Sequence, residues 1–249
     1  QGFVGKLAFP SAKVSDRLEK TFTSVNFNMM IMVIYALITI AIFGMWYYAR
    51  YEGNFLPSPK KTFNPMMIVA IVILVPGTQF AANFIANLTG YIRPDWMQQY
   101  NELFETSGIT DTTFVTVLYS VILAPICEEL IFRGVTMRCA RKALPFALAN
   151  LMQAALFGLF HLNWIQGIYA FALGIVLGYV CERGGSIYYS MGLHLLFNLW
   201  GTLSGFFPDP GNSVVVFVVV IVVTIVSLVV GFVLFNKGRR KLPINSTGI

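Results

Sequence analysis

An acidic pair, Glu128-Glu129, closes an apolar run and is followed by an arginine in Pro125-Ile126-Cys127-Glu128-Glu129-Leu130-Ile131-Phe132-Arg133. On a helix Glu129 and Arg133 are i,i+4 neighbours, with the acid on the N-terminal side, the favoured order for an ion pair. Glu128 is five residues from Arg133 and is left as the free carboxylate. Two adjacent carboxylates do not both stay ionised in a low dielectric without such a partner. The chain has two histidines. His161 ends Phe157-Gly158-Leu159-Phe160-His161, with Phe157 on its own helical face. His194 opens His194-Leu195-Leu196-Phe197-Asn198, where His194 and Asn198 are again i,i+4. Two polar groups stacked this way can donate hydrogen bonds to a single point. An acid, two imidazoles and an amide meeting in one place would form a proteolytic centre.

Each piece also has a plainer reading. The glutamates could be interfacial charges at a span end, His161 a histidine satisfied by a backbone carbonyl, and His194 with Asn198 interhelical glue. Pro125 tilts the balance at the acidic pair. It removes one helix hydrogen bond and can open the helix just before Glu128, giving water a place to sit.

The surroundings of these residues are those of a bilayer. Of 249 residues 57% are hydrophobic and 11% charged, against about 25% charged in a soluble domain. The net charge of +6 is not a nucleic-acid signal, because the basic residues cluster at span ends, where they set topology. Three cysteines, Cys127, Cys139 and Cys181, have no CxxC spacing and suggest neither a disulfide framework nor a zinc knuckle. Apolar runs of the roughly 20 residues a bilayer needs predict an all-α, polytopic transmembrane bundle of about seven spans. They fall at Phe27–Tyr48, Met66–Leu88, Thr112 to about Cys139, 144–162, 168–181, 186–206 and Ser213–Phe235.

The expected organisation is an interfacial or extramembrane segment over 1–26, a transmembrane domain over 27–236 with its motif core at 112–206, and a basic tail over 237–249. Pro76-Gly77 should kink the second span. The acidic stretch 90–111 reads as a loop. Ala170, Gly174 and Gly178 recur on one face of the fifth span, a spacing that lets helices approach closely. The basic tail and Arg138, Arg141 and Lys142 predict a cytoplasmic C-terminus by the positive-inside rule. The N-terminus then falls outside despite its basic residues, which fits either an interfacial helix or a span preceding Gln1.

Glu-Glu-x-x-x-Arg, Phe-x-x-x-His and His-x-x-x-Asn, in this order on separate membrane helices, resemble the CAAX prenyl protease and bacteriocin-processing (CPBP, or Abi) family of intramembrane proteases. The matching residues are Glu128, Glu129 and Arg133; Phe157 and His161; His194 and Asn198. The resemblance covers about residues 112–206. It implies hydrolysis of membrane-associated peptides or protein C-termini in a multi-pass protein of the cell membrane. It further implies that Glu128 and His161 activate a water, that His194 and Asn198 form an oxyanion hole, and that Glu129, Arg133 and Phe157 support them. No cofactor is favoured; a zinc ion, if present, would be held by Glu128, His161 and His194. The implied partners are membrane lipid and a peptide or protein substrate, with no nucleic acid. The competing reading is a non-catalytic scaffold, immunity protein or transporter on the same fold. A cysteine peptidase built on Cys127 leaves Glu128 and Asn198 unexplained.

Overall fold

The computed structural model describes Asp16 and residues 25–51, 64–107, 113–204 and 213–239. Among the described residues the protein is a bundle of eight helices without strands. They are α1 (Val25–Tyr51), α2 (Pro65–Ile92), α3 (Pro94–Ser107), α4 (Phe114–Ala140), α5 (Phe146–Phe160), α6 (Trp164–Gly184), α7 (Ile187–Ser204) and α8 (Val214–Gly238). The segment expected at 1–26 and the tail beyond 239 fall almost wholly outside the described residues.

Among the described residues five helices are long and apolar enough to cross a membrane: Phe27–Tyr47 within α1, and α2, α4, α6 and α8. The other two expected spans are α5, apolar but only 15 residues long, and α7, with 18 residues that include Ser190, His194, Asn198 and Thr202. At 1.5 Å per residue α5 is about 22 Å long, short of a hydrocarbon layer of about 30 Å. These two shorter helices carry the histidines, His194 within α7 and His161 capping the end of α5.

Contacts among the helix ends sort the bundle into two poles. At one, Arg138 at the end of α4 donates to the Tyr47 hydroxyl on α1 at 2.9 Å, and Arg141 pairs with Glu182 of α6 at 3.1 Å. Asn64 joins the same pole, donating from Nδ2 to the Gly238 carbonyl of α8 and from its backbone N–H to the Tyr189 hydroxyl of α7. Gly185, at φ 66°, ends α6 there in the left-handed conformation that glycine adopts without strain. At the opposite pole Trp96 stacks on Trp164 at 5.3 Å, with the Arg93 guanidinium 4.2 Å from the Trp96 ring. Two hydrogen bonds from Arg93, aided by its charge, hold the Asp95 carboxyl below the usual carboxylate range.

One expectation is corrected at this second pole. The stretch read as an acidic loop contains the 14-residue helix α3. Its acids face water, while Trp96 and Tyr100, an i,i+4 pair, turn to α6, where Tyr100 hydrogen-bonds Tyr169. Acid content says nothing against an amphipathic surface helix when one face has somewhere to pack.

The largest part of the core runs along α2, whose Ala70, Ile71, Leu74 and Val75 pack with Leu173 and Leu177 of α6, Leu193 and Phe197 of α7, and Phe235 of α8. Pro76 lies inside α2, where it removes one helix hydrogen bond, and α8 supports the turn beside it. The Ser227 hydroxyl accepts the Gly77 N–H at 2.9 Å and donates to the Ile73 carbonyl. It thus bridges the two groups that an uninterrupted helix would have bonded to each other. Ser227→Ala is expected to leave both unsatisfied at a buried site, lowering stability by about 1–3 kcal/mol. Thermal unfolding in detergent micelles would check this; an unchanged melting temperature would show that the bridge is dispensable.

Candidate active site

Helix α4 is not a regular α-helix. Leu118–Leu123 and Leu130–Met137 are π-helical, on either side of an α-helical turn, Ala124–Glu129, that presents the acidic pair. The first widening has a cause in the sequence. Pro125 has no N–H and its ring collides with the carbonyl four residues back, so the preceding turn must loosen. The Ala124 N–H accordingly reaches back five residues, to Tyr119.

Glu129 lies wholly inside the bundle. Its Oε1 accepts from Arg133 Nη1 at 2.8 Å, and neither side chain has any solvent exposure. The Arg133 guanidinium lies 4.5 Å from the centre of the Phe157 ring, and its Nη2 points to the Gly174 carbonyl of α6 at 3.4 Å. A buried pair of this kind holds only if its charges find several partners at once. Here α4, α5 and α6 all contribute.

His194 joins both acids. Its Nδ1 is 2.9 Å from Glu129 Oε1 and its Nε2 is 3.6 Å from Glu128 Oε2. A carboxylate already paired with Arg133 accepts, so Nδ1 carries the proton and Nε2 faces the side of Glu128. Glu128 keeps 15% of its side chain exposed and lines a cavity of about 40 Å³. Tyr35 and Ala36 of α1, Tyr119, Ala124 and Cys127 of α4, and Phe160 of α5 form the remaining wall. That volume exceeds the ~10–15 Å³ needed by one water. Cys127 is buried and its thiol is turned to Thr39 of α1.

His161 ends α5. Its Nδ1 lies 2.8 Å from the Phe157 carbonyl, which can only accept, so Nδ1 is the protonated nitrogen and Nε2 carries a free lone pair. The Phe157 ring meets the His161 ring at 4.9 Å and the His194 ring at 5.7 Å, edge-on to both. Phe160, a wall of the Glu128 cavity, meets the His161 ring at 6.3 Å. Phe157 therefore touches both imidazoles and the Arg133 guanidinium, one ring in contact with three polar groups.

Asn198 is placed differently from what its spacing suggests. Its Nδ2 donates at 2.8 Å to the backbone carbonyl of Ser120 in the π-helical part of α4. Only one of its two N–H bonds is left for another acceptor. His194 and Asn198 share a helical face, but their hydrogen bonds run to different parts of α4 in this state. Among the described residues no three His, Cys, Asp or Glu side chains stand together as a metal ion requires. The zinc set allowed by the sequence, Glu128, His161 and His194, is not assembled as one coordination group.

A further polar layer lies behind the ion pair. Gln153 Nε2 donates to the Gly174 carbonyl at 2.9 Å and to Asn150 Oδ1 at 2.7 Å, and Asn150 Nδ2 donates to the Ile175 carbonyl at 3.0 Å. Both side chains are buried. The small-residue face of α6 makes room for them, since a Cβ on Gly178 would collide with Asn150 Oδ1 and Gln153 Nε2. Asn150 and Gln153, i,i+3 in an otherwise apolar helix, are the signal for this layer in the sequence.

No curated protein and no solved structure matches the chain. Residues 110–200 match the family model described as Type II CAAX prenyl endopeptidase Rce1-like. That segment holds both π-helical turns, the buried ion pair and both histidines. Over that stretch the chain is similar to the CAAX-type intramembrane proteases, a family of peptide hydrolases, and its long apolar helices are those of a multi-pass membrane protein.

Proposed function

We propose that the protein cleaves a peptide bond near the C-terminus of a prenylated, membrane-tethered substrate, using water activated by Glu128 and His161 without a metal ion. The observation that carries this reading is the cavity at Glu128, large enough for a water and bounded by residues of three helices. Water there would be held between the Glu128 carboxylate and the lone pair on His161 Nε2, which the Phe157 carbonyl leaves available. Glu128 takes the proton as the water oxygen attacks the scissile carbonyl carbon. The resulting oxyanion accepts from the remaining Asn198 N–H and from His194 Nε2 when that nitrogen carries a proton. Glu128 then returns its proton to the departing amine, the C–N bond breaks, and the new carboxylic acid gives up its remaining proton to the amine or to solvent. Glu129 and Arg133 hold His194 in place and carry no proton in the reaction.

The pole with Arg138, Arg141 and Lys237 would face the cytoplasm of the cell membrane, by the positive-inside rule. The test is cleavage by the protein in lipid vesicles of a farnesylated peptide and of its unprenylated counterpart. Wild type is expected to prefer the farnesylated peptide, to keep its rate in chelator, and to lose it in His161→Ala by about 100-fold or more. Chelator-sensitive cleavage would overturn the metal-free step. Absence of cleavage of either peptide would favour a non-catalytic scaffold.

A further inference from the structure

The bond between Asn198 and Ser120 has a specific origin. In a helix the Ser120 carbonyl can be met by the N–H of residue 124 or of residue 125, the α and π partners. The Ala124 N–H is directed to Tyr119. Pro125 has none. The Ser120 hydroxyl does not help, because it donates to the Thr116 carbonyl at 2.8 Å. A backbone carbonyl left bare in an apolar interior is costly, and the donor that meets it comes from α7, as the Asn198 amide at 2.8 Å.

We infer that Pro125 is a positioning residue for Asn198: by removing the N–H that Ser120 would otherwise accept, it creates the acceptor that orients the Asn198 carboxamide. Nδ2 must be the atom facing α4, since the amide oxygen would repel the carbonyl. This fixes which end of the side chain is offered to α4 and keeps the second N–H on the same nitrogen as a donor. The proline that loosens α4 ahead of Glu128 thus also aims a side chain on another helix. The catalytic part of this inference rests on the oxyanion role proposed above; the coupling of Pro125 to Asn198 does not.

The test is a double-mutant cycle of Pro125→Ala and Asn198→Ala on the full chain, read by thermal unfolding and by kinetics. With Pro125 in place, Asn198→Ala strands the Ser120 carbonyl and is expected to lower the melting temperature by about 3–6 °C. In the Pro125→Ala background the new N–H can serve that carbonyl, so the same substitution should cost less than half as much. Pro125→Ala alone is expected to lower kcat by about 10-fold or more with KM unchanged, the scale on which a misplaced group acts. It should cost less in kcat once Asn198 is gone. Asn198→Leu, close in size with no donor, guards against a folding artefact and should follow Asn198→Ala in its dependence on the Pro125 substitution. Equal melting losses in both backgrounds would overturn the inference, as would a kcat loss from Pro125→Ala that is as large without Asn198 as with it. A wild type that cleaves nothing would remove the proteolytic reading, while the melting cycle would still decide the Pro125–Asn198 coupling.

Discussion

Glu128→Gln is expected to bring peptide hydrolysis down by roughly 10⁴-fold, to the edge of detection, with no loss of fold. Removal of a general base from a site that has no second one costs up to about that factor. Gln matches Glu in size, and the side chain sits against a cavity, partly exposed, with no buried partner closer than His194 Nε2 at 3.6 Å. Little packing is therefore at stake. The measurement is single-turnover cleavage of the vesicle-bound peptide, with the melting temperature recorded on the same preparation. Undiminished cleavage by Glu128→Gln would sink the assignment. Its neighbour makes a control, because Glu129 has no exposure and is bonded to Arg133 and His194, among others. Glu129→Gln should lose stability and activity together, whereas Glu128→Gln should lose activity alone.

The second large effect is on stability. Arg133→Met is expected to cost about 3–5 kcal/mol, the usual penalty for stranding one member of a buried ion pair. The substitution also empties the space over the Phe157 ring, where the guanidinium packs at 4.5 Å. The informative comparison is with the double variant Glu129→Leu, Arg133→Met. Replacing both charges with apolar groups of similar size is often neutral or stabilising, so the double variant should recover most of the loss. It should not recover activity, since His194 Nδ1 would lose the carboxylate that sets its tautomer and orientation. Unfolding by a denaturing detergent, with cleavage measured on the folded fraction, separates the two effects. A double variant as active as wild type would show that the pair serves folding only. One as unstable as Arg133→Met would show that its environment cannot accept apolar groups.

The extent to which the chain can be read without coordinates follows from the range of each interaction. Runs of apolar residues long enough for a bilayer are a local property, so the helices of the bundle are legible. The Glu129–Arg133 pair is legible for the same reason: i,i+4 neighbours on one helix meet wherever that helix goes. A weakened turn at Pro76-Gly77 is expected from composition, but the hydroxyl bonded there comes from Ser227, 150 residues away, and nothing near α2 announces it. Helix α3 escapes such a reading because its support is a neighbouring helix and not its own charge pattern.

Within the site, residue types and spacings alone determined which side chains were candidates for chemistry, because helical periodicity ties sequence separation to a shared face. Only the tertiary structure decided their partners. It set His194 between the two acids, put the Phe157 ring against both imidazoles, and sent the Asn198 amide to a carbonyl on another helix. Such contacts depend on how far each helix is rotated and slid against the next. Two π-helical turns in α4 change that rotation, and their effect accumulates through side chains that lie far apart in the chain.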